Sequence, residues 1–212
     1  MKVTVVIDVF RAFTTASYIL EQHPATYTLA VKQTVISELA SQYINPLVIG
    51  KPEKGMEDHI YHIPNSPTRV LEVKVSDRDI IHRTEAGAKG ILLAQEADIV
   101  LAAGFVNADA TVKFIKTLTN PEVSVIPMGH EGTTPSLEDN VCAEYITALI
   151  NDKKMELTPY FSKIKEGPGQ YFFSQDQWQY PSGDFERCLE IDRFNFAIQA
   201  FVKSDHAILM RC

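Results

Sequence analysis

The chain has few cysteines, little clustered positive charge and no long apolar run, and each shortage removes a class of protein. Its 212 residues include three cysteines, Cys142, Cys188 and Cys212, an odd number without a C-x-x-C pair. That argues against a disulfide framework or a structural zinc site and points to a reducing compartment. The longest basic cluster is Lys153-Lys154, and 20 Lys and Arg stand against 27 Asp and Glu, a formal charge of −7. Such a chain repels nucleic acid and anionic lipid, so neither is expected as a partner. No apolar stretch approaches the roughly 18 residues a membrane helix needs. The apolar opening Val3–Ile7 is interrupted by Asp8 and Arg11, unlike a signal-peptide core. A cytoplasmic protein with no membrane partner is therefore expected. There is also no Pro/Gly/Ser-rich linker, low-complexity segment or clear repeat, so residues 1–212 are expected to form one domain.

What the chain does have is 45% apolar residues arranged in alternating periods. The β-branched run at 2–8 passes into a helical pattern at 12–20. Strands are then expected at 26–31, 47–49, 79–82, 98–103 and 122–128, and helices at 34–43, 67–73, 87–96, 107–118 and 137–151. Strands apolar at every position are buried on both faces, and their alternation with helices predicts an α/β protein. The tail departs from that rhythm. Helices at 157–166 and 184–191 flank a loop-like stretch, and strands at 194–202 and 206–211 meet at the turn Lys203-Ser-Asp205 as an antiparallel hairpin. The architecture expected is a three-layer α/β/α sandwich with a mixed, largely parallel central sheet. Its apolar terminal strands suit a homodimer.

In such sheets ligands bind beyond the carboxyl ends of strands, so polar residues where a buried strand stops are the first candidates. Asp8-Val-Phe-Arg11 places a carboxylate at a strand end and a guanidinium at the next helix start. This suits a metal ligand beside a phosphate-recognising fork, and equally a buried ion pair or a helix cap. A haloacid-dehalogenase-like phosphatase would have a second Asp two residues on, where Phe10 stands, so Asp8 reads better as a metal ligand than as a phosphorylated nucleophile. In Pro64-Asn-Ser-Pro67, Ser66 is a good N-cap and Pro67 a good first helical residue; the free N–H groups behind them and the Asn65 amide suit an anion, or simply an ordinary helix start. Asn107, after Gly104-Phe-Val, is a cap or a ligand. Glu138 and Asp139 follow a flexible loop from Gly129 and suit Mg²⁺, although Ser136 with Asp139 also has capping-box spacing. Cys142 reads as a buried small residue more than a nucleophile, His59 and His62 lack a third metal ligand, and Trp178 and Tyr180 read as core or interface.

Together these segments, in this order, resemble the 2-phosphosulfolactate phosphatase (ComB) family. The matching pieces are Val6-Ile-Asp-Val-Phe-Arg-Ala12, Asn65-Ser-Pro67, Ala97-Asp98 through Phe105-Val-Asn-Ala108, Glu138-Asp139 with Cys142-Ala143, and Asp184 through Phe194. The resemblance implies a magnesium-dependent phosphatase acting on a small phosphorylated hydroxy acid, on a three-layer fold with a mixed sheet. In that reading Asp8 and one or both of Glu138 and Asp139 hold Mg²⁺. Arg11, Asn65, Ser66 and Asn107 hold phosphate oxygens, and Lys89 keeps the positive charge of a family arginine. Water then attacks phosphorus in line, with charge neutralisation as the main catalytic contribution. The chain departs from the family pattern at His62, where an acid is expected, and at Thr84-Glu-Ala-Gly87, where the family has Thr-Thr-Asn-Gly. These departures bear on the part of the substrate beyond the phosphate. A non-catalytic module that binds a small phosphorylated metabolite is the second reading.

Overall fold

Val3, Val5, Val6 and Ile7 of the first strand, Lys2–Ile7 (β1), are all buried, because helices cover the sheet on both sides of it. The computed structural model describes residues 1–57, 59–173 and 176–212. After β1 come Ala12–Glu21 (α1), Thr26–Ala30 (β2), Gln33–Gln42 (α2) and Leu47–Ile49 (β3). Then follow Pro67–Val70 (α3), Asp79–Arg83 (β4), Ala86–Leu93 (α4), Ile99–Ala103 (β5), Ala108–Lys116 (α5) and Glu122–Pro127 (β6). The remainder is Leu137–Ile150 (α6), Thr158–Glu166 (α7), Ser182–Leu189 (α8), Ile198–Val202 (β7) and His206–Arg211 (β8).

These eight strands form one sheet in the order β3-β4-β2-β8-β7-β5-β1-β6. β1 pairs in parallel with β5 and β6, and β4 with β2 and β3. The β7–β8 hairpin joins the two parallel groups by antiparallel pairing, β7 to β5 and β8 to β2. The fold is the expected α/β class, with a mixed sheet between helical layers. One core cluster, including Val6, Phe13, Ile19, Leu29 and Ile91, lies under α1 and α4; another, including Val5, Ile7, Ile115, Ile146 and Phe185, lies under α5, α6 and α8. Among the described residues no helix is long and apolar enough to cross a membrane.

Three successive antiparallel pairings make β2, β3 and β4 run against β1, β5 and β6. Their carboxyl ends would lie on opposite edges of a flat sheet. Five strand-to-strand steps separate β1 from β4, and a twist of about 20–25° per step accumulates to roughly 100–125°. The angle between the two chain directions thereby closes from antiparallel to under a right angle, which lets the ends of β1 and β4 face one cavity.

Three elements differ from expectation. The helix expected at 67–73 ends at Val70, with Leu71 and Glu72 closing turns onto Thr68 and Arg69. The helix expected at 107–118 is a 3₁₀ turn, Phe105–Asn107, followed by α5. The strand expected from 194 begins at Ile198, because the Phe194 N–H donates to the Val106 carbonyl and its ring packs edge-on to Tyr18 at 5.0 Å.

Candidate active site

A cavity of about 630 Å³ opens beyond β1, β4 and β6. Asp8, Glu138 and Asp139 line it on the acidic side, and Arg11, Arg83 and Lys51 supply positive charge. Of the residues singled out in the sequence, Asp8, Arg11, Asn65, Glu138 and Asp139 all reach this space.

Asp8 follows β1, and its Oδ1 accepts the Ala12 N–H at 3.0 Å, so it caps the start of α1. Burial pushes its carboxyl up to about 6, outweighing the N–H groups of Ala12 and Gly87 and the charge of Arg11. Gly87 is required beside it. A Cβ there would stand 2.8 Å from Asp8 Oδ2 and 3.0 Å from the Ala12 Cβ.

Asp139 does not form the capping box that its spacing from Ser136 suggested, and Ser136 makes no side-chain cap bond. Its two oxygens accept the N–H groups of Val9 and Gly129, each at 2.8 Å, tying the ends of β1 and β6 together. Burial and then the charge of Asp8 hold its pKa well above the usual carboxylate range. Glu138 is also raised by burial, and its Oε2 is buried without a hydrogen-bond partner among the described residues. A carboxylate in that state beside two others suits a cation. Among the described residues, no group of three or more His, Cys, Asp and Glu side chains is arranged to hold a metal ion by itself. Mg²⁺ fits that limit, because it commonly takes one or two carboxylates and completes its shell with water and substrate oxygens. Asp8 and Glu138 are the donors that fit; Asp139 is a positioning residue for the loops around them.

Arg11 pairs with Asp184, not with Asp8. Its Nη1 donates to Asp184 Oδ2 at 2.6 Å and to the Gln179 carbonyl at 2.8 Å, and the guanidinium stacks over Tyr180 at 4.9 Å. The Phe10–Arg11 peptide is cis. The other oxygen of Asp184 accepts the Ser66 hydroxyl and the Thr68 N–H. Ser66 is thus the N-cap of α3, as expected, but the anion at that helix start is the protein's own Asp184. This corrects the expectation that Ser66 receives substrate. Asn65 alone of that motif lines the cavity, and its Oδ1 is buried without a partner among the described residues.

Two further expectations are corrected. Asn107 is fully buried beneath β5: its Oδ1 accepts the Gly104 N–H and its Nδ2 donates to the Ala102 carbonyl, so it holds the strand-to-helix turn and does not line the cavity. Lys89 is exposed on α4 and is not among the residues that line it. Cys142 is buried with its thiol pushed well above its usual pKa by burial, as befits a core residue. Arg83, Lys51 and Asp184 were missed. Asp184 lay within a family-like stretch, but nothing local marked it as Arg11's partner.

The chain matches the model of the 2-phosphosulpholactate phosphatase family over residues 1–166. It is 32% identical over 190 residues to a protein of Bacillus subtilis (strain 168) named probable 2-phosphosulfolactate phosphatase, covering 88% of this chain and 81% of that protein. A Thermoplasma volcanium protein of the same name is 26% identical over 191 residues, covering 90% of this chain and 85% of the other. A third, from Deinococcus radiodurans, is 33% identical over 153 residues, 69% of this chain and 62% of the other.

Proposed function

This chain belongs to the 2-phosphosulfolactate phosphatase family of phosphoric monoester hydrolases, and from that premise we propose that it is a magnesium-dependent phosphatase of a small phosphorylated hydroxy acid, 2-phosphosulfolactate or a related monoester. The observation that carries this reading is the Glu138 oxygen, unpartnered among the described residues, in one cavity with Asp8 and Arg11. Mg²⁺, held by Asp8 and Glu138, would neutralise charge on the phosphate and its leaving oxygen. Arg11, aligned by Asp184, holds phosphate oxygens, and Asn65 offers a further polar contact. Attack by water on phosphorus forms one P–O bond as the bond to the substrate alcohol breaks, and the water's proton needs an acceptor. Both Asp139 and Asp8 are engaged by backbone N–H groups, so Glu138, whose Oε2 has no partner among the described residues, is the carboxylate free for that role. Three unpaired cysteines support a reducing, cytoplasmic setting.

A panel of phosphate monoesters assayed for phosphate release with and without Mg²⁺ tests the proposal. Turnover of a phosphorylated hydroxy acid, abolished by a chelator, is the expected result. Saturable binding without phosphate release would sink it in favour of a non-catalytic metabolite-binding module.

A further inference from the structure

Among the described residues, one buried cation in the cavity has no carboxylate within hydrogen-bond reach. Arg83 ends β4, is 5% exposed and lines the cavity. Its Nη1 donates to the Lys51 carbonyl at 3.0 Å, and its Nε is buried without a hydrogen-bond partner among the described residues. The acid that comes nearest, Glu53, stands 4.0 Å from Nε, and its Oε1 already accepts the Gln33 N–H. Arg11, by contrast, has Asp184 at 2.6 Å. Taking a guanidinium out of water is unfavourable unless it is closely paired, and Arg83 has only the long contact to Glu53 and one backbone carbonyl.

The backbone around Arg83 holds it in this state. Gly50 has φ +127, and a side chain there would run into the Arg83 carbonyl oxygen. The end of β3 therefore lies hard against the end of β4, which brings the Lys51 carbonyl within reach of the guanidinium. Lys51 also lines the cavity. Positive charge thus enters from two places, Arg11 after β1 and Arg83 with Lys51 after β4 and β3, in a space much larger than a phosphate group.

We propose that Arg83 is a specificity-determining residue that receives a second oxyanion group of the substrate, such as a carboxylate, on the carbon skeleton that bears the phosphate. The planar guanidinium suits such a group through paired N–H donors. The proposal rests on the phosphatase reading above.

The test compares two esters of the same skeleton, 2-phospholactate and isopropyl phosphate, in which a methyl replaces the carboxylate. Wild-type protein with Mg²⁺ is expected to prefer 2-phospholactate in kcat/KM by roughly ten- to hundredfold, because a charged hydrogen-bonding site discriminates strongly against its apolar analogue. In Arg83→Met that ratio collapses toward one, chiefly because the phospholactate ester is bound more weakly and its KM rises. Arg83→Lys, which keeps the charge without the fork, falls between. A wild type without the preference, or an Arg83→Met ratio equal to that of wild type, overturns the assignment. Melting curves identify a variant that has not folded, in which case Arg83→Lys carries the comparison. If wild type hydrolyses neither ester, the phosphatase reading is what fails. Calorimetric binding of the two esters then decides the role of Arg83: a variant that binds only the phospholactate ester more weakly upholds it, and equal changes for both overturn it.

Discussion

A carboxylate oxygen buried without a partner lowers stability, and among the described residues Glu138 keeps one in the cavity. Glu138→Gln removes the buried charge and its repulsion with Asp8, so the variant should melt about 2–4 °C higher in Mg²⁺-free buffer while losing most of its Mg²⁺-dependent turnover. Calorimetry and kinetics on one preparation check both signs. His82 works differently. It is fully buried with Nδ1 2.7 Å from the Tyr27 hydroxyl, and burial pushes its pKa down to about 3. Its folded pKa lies below the unfolded value of roughly 6.5, so the unfolded chain binds the extra proton between those limits. The stabilisation is full above about pH 6.5 and is lost as pH falls toward 3, about 2 kcal/mol of it by pH 5. Asp8, raised to about 6, has the opposite slope, stabilising at low pH and losing that contribution as pH rises from about 4 through 6. Urea unfolding of wild type and His82→Gln at pH 7.5 and 5 isolates the histidine's share as the difference between the two proteins. A pH dependence shared equally by both would contradict it.

The start of α4 approaches the site so closely that only glycine fits. A methyl on Gly87 would meet Asp8 Oδ2 at 2.8 Å and the Phe13 ring at 3.1 Å. Alanine gains about 1 kcal/mol of helix propensity over glycine, but crowding in a packed interior typically costs 1–3 kcal/mol. Gly87→Ala is therefore expected to be destabilised by about 1 kcal/mol and to lose at least tenfold in kcat/KM through displacement of Asp8. Stability from urea titration and turnover at saturating Mg²⁺ test this, and a variant with full activity would refute the packing argument. A similar local logic explains α3. Ser66 and Pro67 announced a helix start correctly, but the four-residue helix serves to bind Asp184.

At the scale of the molecule, the family match ends at residue 166 while the sheet is completed by residues 198–211. β7 and β8 lie between β5 and β2, and α8 brings Asp184 to Arg11. A chain cut after Glu166 would bare the edges of β5 and β2, divide the sheet and leave Arg11 buried without its counter-charge. It should lack near-ultraviolet dichroism and bind a hydrophobic dye, whereas a cooperative melt would show that the halves hold without the hairpin. The sequence by itself determined the α/β class, the interior position of β1 and the candidacy of Asp8, Arg11, Asn65 and Glu138, because those depend on local period and on polar residues placed where apolar runs stop. Only the tertiary structure decided which groups meet. Arg11 and Asp184 are 173 residues apart, Val9 and Asp139 are 130 apart, and Asn107 turned inward to its own strand. Hydrogen-bond partners across such separations are chosen by sheet order and twist, which a local pattern does not encode, and so the loosely paired charge of Arg83, 4.0 Å from Glu53, became visible only when β3, β4 and the cavity were assembled.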